Sequence, residues 1–431
     1  MMTTPHPPRM SIEEVIKENM TIGETLTDGL TNFTQIATNT AAKLHNRVIS
    51  GSPLSNLPVS TQTKRKKEIS KEATVPREMK EIKRDATSDN DEVFTFSPYP
   101  GDNSPPLVYV YPYKGDRVVL VYMDGGIFKT SWRIPTFPGM HPGRPKFILQ
   151  AIEKPTQFLP FLFSHRIDTN RLHANFAVLG DSILSGGHWD DFLLCGNVVS
   201  GAVISQIGEH KDVVSCMGIS DDGTILATGS LDCTCLIWET SSFDQKTLTR
   251  DELPKPKLIL YGQDRPINCV DVSTDLDLVI TGSSDGVCIL YELSKGSFLR
   301  TLKHQDPVHL VKLSTQGVIV TYCESINFNE IYLHSINGNR LAQFPTTTTI
   351  YCMLVTEDGD YLVSGGESGC VIVQSLYSLN LKIVQEWKCK SKILSLALTE
   401  QKVQRPRFLM VGLDTGEFRV IRFDPATFRP V

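Results

Sequence analysis

The sequence predicts an all-β protein, a β-propeller of about seven blades behind a polar N-terminal stretch, and three observations predict it. From about residue 105 onward, short β-branched and aromatic runs alternate with Gly, Asp, Asn and Ser, and no long helical pattern separates them. A unit of apolar strand, Gly-Gly or Gly-Ser, polar turn and second apolar strand returns at Gly186, Gly229, Gly282 and Gly365, and in shorter form at Gly412. Successive copies stand 43, 53, 83 and 47 residues apart, a period of roughly 40 to 45 residues with loop insertions and one degenerate copy, which is the length of a propeller blade.

At 431 residues the chain has room for one large all-β domain and a tail. Residues 1–20 form the first piece. Ser11-Ile-Glu-Glu14 has the pattern of a capping box, with Ile12, Val15 and Ile16 at helical spacing, so one short amphipathic helix is expected there. Residues 21–95 read as a disordered linker, because the Ser, Pro and mixed charge of 51–92 bury too little surface to offset the entropy of ordering. The basic run Lys64-Arg65-Lys66-Lys67 belongs to that linker: nine Lys or Arg and eight Asp or Glu lie between 61 and 92, a solvated mixed-charge segment rather than a localisation signal.

The propeller is expected over 105–426. Its first blade uses Val108 to Ile134, and the degenerate copy lies near Val318-Ile-Val-Thr-Tyr322 and Ile331-Tyr-Leu-His-Ser335, where two strands flank a polar turn without the Gly-x-x-Asp signature. The blades then fall near 105–150, 170–205, 210–240, 262–297, 306–341, 348–378 and 391–424, within the range that propellers use.

One blade carries almost the full WD pattern: Glu209-His210, Ser220-Asp-Asp-Gly223, Asp232 and Cys235-Leu-Ile-Trp238. This assigns the fold to the WD40 type. His210, Thr228, Asp232 and Trp238 can join indole, hydroxyl, imidazole and carboxylate in one hydrogen-bonded chain, and a satisfied buried chain of that kind specifies a single packing. These four are read as structural. In the next blade Gln263 stands for the His and Tyr291 for the Trp, while Thr281 and Asp285 remain.

Several function classes are disfavoured. A net charge of −5 and a pI near 6.1 provide no field for phosphate backbones, so nucleic acid is not an expected partner. No apolar run approaches the roughly 20 residues of a membrane span, and no signal peptide opens the chain. The ten cysteines sit mostly within apolar strand segments and are read as reduced core residues of a cytosolic protein.

Gly282-Ser-Ser284-Asp-Gly286 matches a nucleophile elbow, yet the run after it reads as a strand where that motif needs a helix. Cys233-x-Cys235, with His188 or His210, could supply part of a zinc site; two thiols filling one strand face is the preferred reading. No catalytic residue, cofactor or metal is predicted. Trp189 has two open readings, an interface anchor or a residue packed between blades.

Longer strings resemble one family. Pro5-His6-Pro7-Pro8-Arg9 is similar to the segment that closes a BEACH domain. Gly186-Gly-His-Trp-Asp190, His210-Lys-Asp-Val-Val-Ser-Cys216, Asp275-Leu-Asp-Leu-Val-Ile-Thr-Gly-Ser283, Leu333-His-Ser-Ile-Asn-Gly338 and Asp358-Gly-Asp-Tyr-Leu-Val-Ser-Gly-Gly366 resemble the propeller of neurobeachin-type proteins, over most of residues 165–424. The resemblance implies a C-terminal propeller that follows PH-like and BEACH domains in a large peripheral scaffold of vesicle trafficking and membrane-protein sorting. With Met1-Met2 just before the BEACH-closing residues, the resemblance leads to the expectation of a fragment or an incomplete gene model of such a protein. The expected partners are proteins, trafficking machinery or membrane-protein cargo, with any membrane association indirect or through the missing domains. The expected location is the cytoplasm, peripherally at endosomal or Golgi membranes. A WD-repeat adaptor of another pathway, such as a ubiquitin-ligase substrate receptor, is the alternative.

Overall fold

In the computed structural model, residues 93–97, 104–113, 117–133, 146–148, 163–198, 200, 202–243, 253–326, 328–377, 379–399 and 407–425 are described. The expected helix near 11–16, the linker up to residue 92 and the basic run at 64–67 lie outside them. The strands form seven four-stranded antiparallel sheets, the blades of a β-propeller. Blades 1 to 6 use the strands of 107–148, 176–207, 214–260, 267–303, 308–346 and 350–388, each joined in simple sequence order. Blade 7 takes three strands from 393–423 and its fourth from Val93–Phe96, which pairs antiparallel with Phe418–Ile421. The ring is therefore closed by a strand that precedes residue 105, where sequence analysis starts the propeller.

From blade 2 round through blade 7 to blade 1, the first strands of successive blades run side by side around the axis. Sheets stacked face to face leave little water between them, so the second strands are apolar on both faces: Val118-Val-Leu-Val-Tyr122 is buried throughout, as are Leu226, Ala227, Val279 and Ile280. The core is accordingly divided into layers between adjacent blades. One cluster joins Leu184 and Cys195 of blade 2 to Trp238 of blade 3, and another joins Ile280 of blade 4 to Val311 of blade 5.

The recurring glycine has a packing cause. A Cβ on Gly229 would lie 2.7 Å from Ile267 Cγ2, one on Gly282 2.9 Å from Val308 Cγ1, and one on Gly365 2.7 Å from Ile393 Cγ2. Gly186 meets Val214 and Gly412 meets Leu107 in the same way. Each of these partners is the first residue of the next blade's first strand, so glycine lets consecutive sheets approach. In the degenerate blade 5 the position belongs to Tyr322, paired with Leu310 as Gly282 is paired with Cys269. Tyr322 is fully buried and its hydroxyl accepts the amide of Ile350, first residue of blade 6, at 3.1 Å. A hydrogen bond here replaces the close approach that glycine permits elsewhere.

In every blade except blade 2 the first strand shifts register by one residue near its start. The residues skipped are Val108, Ser215, Asn268, His309, Tyr351 and Leu394. A bulge re-aims its side chain. Here Ser215, Asn268 and His309 line the cavity at the centre of the ring.

Candidate functional site

Because each blade is antiparallel, the turn between its second and third strands emerges on the same face as the segment entering its first strand. This upper face carries nearly every residue singled out from the sequence. In blade 3, Trp238 Nε1 donates to Thr228 Oγ1 at 3.0 Å, Thr228 Oγ1 lies 2.8 Å from His210 Nε2, and His210 Nδ1 lies 3.1 Å from Asp232 Oδ2. One set of protons satisfies all of them: indole N–H to hydroxyl oxygen, hydroxyl O–H to Nε2, and Nδ1–H to carboxylate, with a neutral imidazole. The Thr234 hydroxyl and the amides of Lys211 and Thr234 also donate to Asp232, at 2.6, 2.8 and 2.8 Å. Burial alone would push the Asp232 carboxyl up; the hydrogen bonds from His210, Thr234 and Lys211 outweigh it and hold the group below the usual carboxylate range.

The other blades keep parts of this chain. Gln263 Nε2 donates to Thr281 Oγ1 at 2.8 Å, while Tyr291, in the position of Trp238, donates to the carbonyl of Tyr261 at 3.1 Å. Blade 5 retains a His–Thr pair that sequence analysis missed: His304 Nε2 lies 3.0 Å from Thr321 Oγ1 and Nδ1 lies 3.1 Å from the Gly286 carbonyl. The available signal was spacing, since His210, Gln263 and His304 each stand four residues before the first strand of their blade.

The candidate chemistry of the thiols and of Ser284 is not assembled. Cys233 sits in the turn before the strand Cys235–Glu239 with φ +68°, so it does not share a strand face with Cys235; this corrects the reading of two thiols on one face. His188 is buried, stacks on Phe163 at 5.4 Å between ring centroids and has Nε2 2.9 Å from Ser185 Oγ. Among the described residues, no three His, Cys, Asp or Glu side chains converge as metal ligands would. Ser284 leads into the strand Val287–Glu292, not into a helix.

The mouth of the channel on the upper face is occupied by the chain's own segment 163–175. Its 3-10 turn Thr169–Asn175, capped by Asp168, packs on the first strands of blades 1, 2, 3, 6 and 7. Arg171 is its anchor: the guanidinium donates to Asp168 at 2.6 Å, to the Ile350 carbonyl at 3.0 Å and to Glu324, and lies 3.3 Å from His309 Nδ1 and over the ring of Tyr351. Asn175 Nδ2 donates to the Val214 carbonyl at 2.9 Å, and Arg166 forms an ion pair with Asp212. A cavity of about 400 Å³ lies against the segment, bordered by His173, Asn268 and Lys312. Burial, with Lys312 and Arg171 adding, pulls His173 down to about 3; burial and Arg171 pull His309 down to about 4. Both imidazoles are neutral at pH 7. No sequence pattern marked Arg171, because apart from Asp168 its partners come from blades 5 and 6.

Trp189 lies in the second turn of blade 2, 65% exposed. It does not pack between blades.

The sequence profile of the neurobeachin beta propeller domain matches residues 167–424, the stretch that holds blades 2 to 6 and three of the four strands of blade 7. The chain belongs to the neurobeachin propeller family. BEACH domain-containing protein B of Arabidopsis thaliana is 36% identical over 239 residues, 52% of this chain and 9% of that protein. BEACH domain-containing protein lvsE of Dictyostelium discoideum is 30% identical over 357 residues, 75% of this chain and 15% of that protein. A putative neurobeachin homolog of Caenorhabditis briggsae is 28% identical over 261 residues, 58% of this chain and 10% of its own. The neurobeachin-type propeller thus spans only a small part of the length of these relatives. The expected resemblance over 165–424 coincides with the matched stretch almost to the residue.

Proposed function

We propose that this chain is a non-catalytic protein-interaction scaffold of neurobeachin type that serves vesicle trafficking and membrane-protein sorting through the upper face of its propeller. The observation that carries the reading is the exposure of Trp189 on the rim of a ring whose channel mouth is filled by its own segment 163–175. A filled mouth leaves recognition to the loops, and loops held on a rigid sheet ring are where binding residues gather. A large exposed aromatic ring is the kind of side chain that anchors interfaces. His210, Thr228, Asp232 and Trp238 serve the blade in this reading and not a partner. No helix among the described residues is long and apolar enough to cross a membrane.

Proximity labelling with the full chain in cells tests the reading. Endosomal, Golgi or vesicle proteins are expected among the labelled set, and Trp189→Ala is expected to deplete them without lowering the melting temperature. A set dominated by ubiquitin-ligase subunits, or one unchanged by Trp189→Ala, would count against it.

A further inference from the structure

We infer that the rim of blade 5 is a docking groove for a peptide segment that presents Lys or Arg beside an apolar side chain. The inference rests on the scaffold reading and gives it a specific surface. A groove of about 700 Å³ opens on the upper face between the segment Gln305–Pro307, which leads into blade 5, and the turn that follows Glu324. On its lip Ile326 is fully exposed and Phe328 is 67% exposed, two large apolar side chains presented together to water.

The turn is held in shape by its own bonds. The Ser325 amide donates to the Phe328 carbonyl at 2.9 Å, the Ser325 hydroxyl donates to the same carbonyl at 3.0 Å, and Ser325 Oγ lies 3.1 Å from the Phe328 amide nitrogen. These bonds tie Ser325 to Phe328, which lowers the ordering entropy that opposes binding at Phe328.

Charge selects the occupant. Among the described residues, the ionised side chains lining the groove are Asp306 and Glu324, and no Lys or Arg lines it. Arg171 offsets Glu324 from the channel side, whereas Asp306 takes part in none of the ion pairs among the described residues. His309 on the groove floor adds no positive charge at pH 7, since burial and Arg171 hold it at about 4. A groove with apolar lip and acidic wall is complementary to a cation flanked by an apolar residue. The same wall repels an anionic membrane surface, and a two-fold contact centred on this groove would bring two acidic walls together.

Panning the full chain against a displayed library of random linear peptides tests this. Enriched peptides should carry Lys or Arg next to an aromatic or aliphatic residue. Their synthetic versions should bind Asp306→Lys, and separately Ile326→Ser combined with Phe328→Ser, about tenfold or more weakly than the parent chain. Both changes are at the surface, and the melting temperature checks that each variant folds. If Asp306→Lys fails that check, raising the salt concentration on the parent chain must weaken binding instead. Acidic or purely apolar consensus peptides, no enrichment, or binding indifferent to the paired Ile326 and Phe328 change would overturn the groove. So would a dimer, or capture by phosphatidylserine vesicles, abolished by that same change. None of these outcomes bears on the Trp189-dependent labelling, so the two readings fail separately.

Discussion

Tyr322 accepts the backbone amide of Ile350 through its hydroxyl at 3.1 Å, joining blade 5, which with blade 1 lacks the repeat glycine, to the blade that follows it. Five blades make the corresponding contact by removing a side chain; blade 5 makes it by adding a polar one. Both solve the same problem, the close approach of a strand edge to the next sheet, and each carries its own cost on substitution, an atom added in one case and an acceptor removed in the other.

Gly229→Ala should destabilise the ring by about 1–3 kcal/mol, because its Cβ would fall 2.7 Å from both Ile267 Cγ2 and Cys216 Sγ in a packed layer. Tyr322→Phe keeps the volume but leaves the Ile350 amide without its acceptor, at a cost of about 1–2 kcal/mol. Denaturant unfolding of the two variants measures both, and a neutral Tyr322→Phe would remove the bond from the account of blade 5.

Thr228→Val should cost about 2–4 kcal/mol, since it strands the Trp238 indole N–H and His210 Nε2 together in a buried site. Thr321→Val strands only His304 Nε2 and should cost less. Equal losses in the two unfolding curves would mean that the chain from Trp238 to Asp232 acts no differently from an isolated pair.

Arg171→Met should destabilise by about 3–5 kcal/mol, because Glu324 and Asp168 would lose their cation beside the channel while the Ile350 carbonyl loses a donor. Hydrogen exchange should quicken across 163–175 before it does in the strands. Unchanged protection there would show that apolar packing, not Arg171, holds the segment in the mouth.

His188 supplies a pH test. Burial pulls its pKa from 6.5 to about 4, so between those values the unfolded chain binds a proton that the folded chain refuses. Stability therefore falls as pH drops through that window, by about 2 kcal/mol between about pH 7 and about pH 5. His188→Gln should flatten part of the decline. Asp232 acts lower: its depressed folded pKa contributes stability present above the unfolded carboxylate value and lost as pH falls beneath it, so Asp232→Asn should lower stability above about pH 4 and flatten the decline below it. Superimposable pH profiles for His188→Gln and the parent chain would refute the assignment.

Most of the propeller was legible because a blade is a local object. The alternation of strands and turns, the return of Gly186, Gly229, Gly282, Gly365 and Gly412, and the His210, Thr228, Asp232 and Trp238 set all lie within one repeat length, where spacing carries the information. Even the degenerate copy was placed between Val318 and Ser335, where blade 5 stands. The mistaken strand placement of Cys233 came from a single residue: a left-handed turn conformation at a non-glycine position leaves no mark in apolar periodicity.

By itself, then, the sequence determined the kind of blade, the expectation of about seven copies and the polar chain that locks the third, since each follows from residues near one another. Only the tertiary structure decided that Val93–Phe96 closes the ring on Phe418–Ile421, that Arg171 fills the mouth by reaching Glu324 and Ile350, and that Trp189, Ile326 and Phe328 face water. Those outcomes depend on which distant segments meet when seven sheets close into a circle, and that closure is a property of the whole ring that no single repeat encodes.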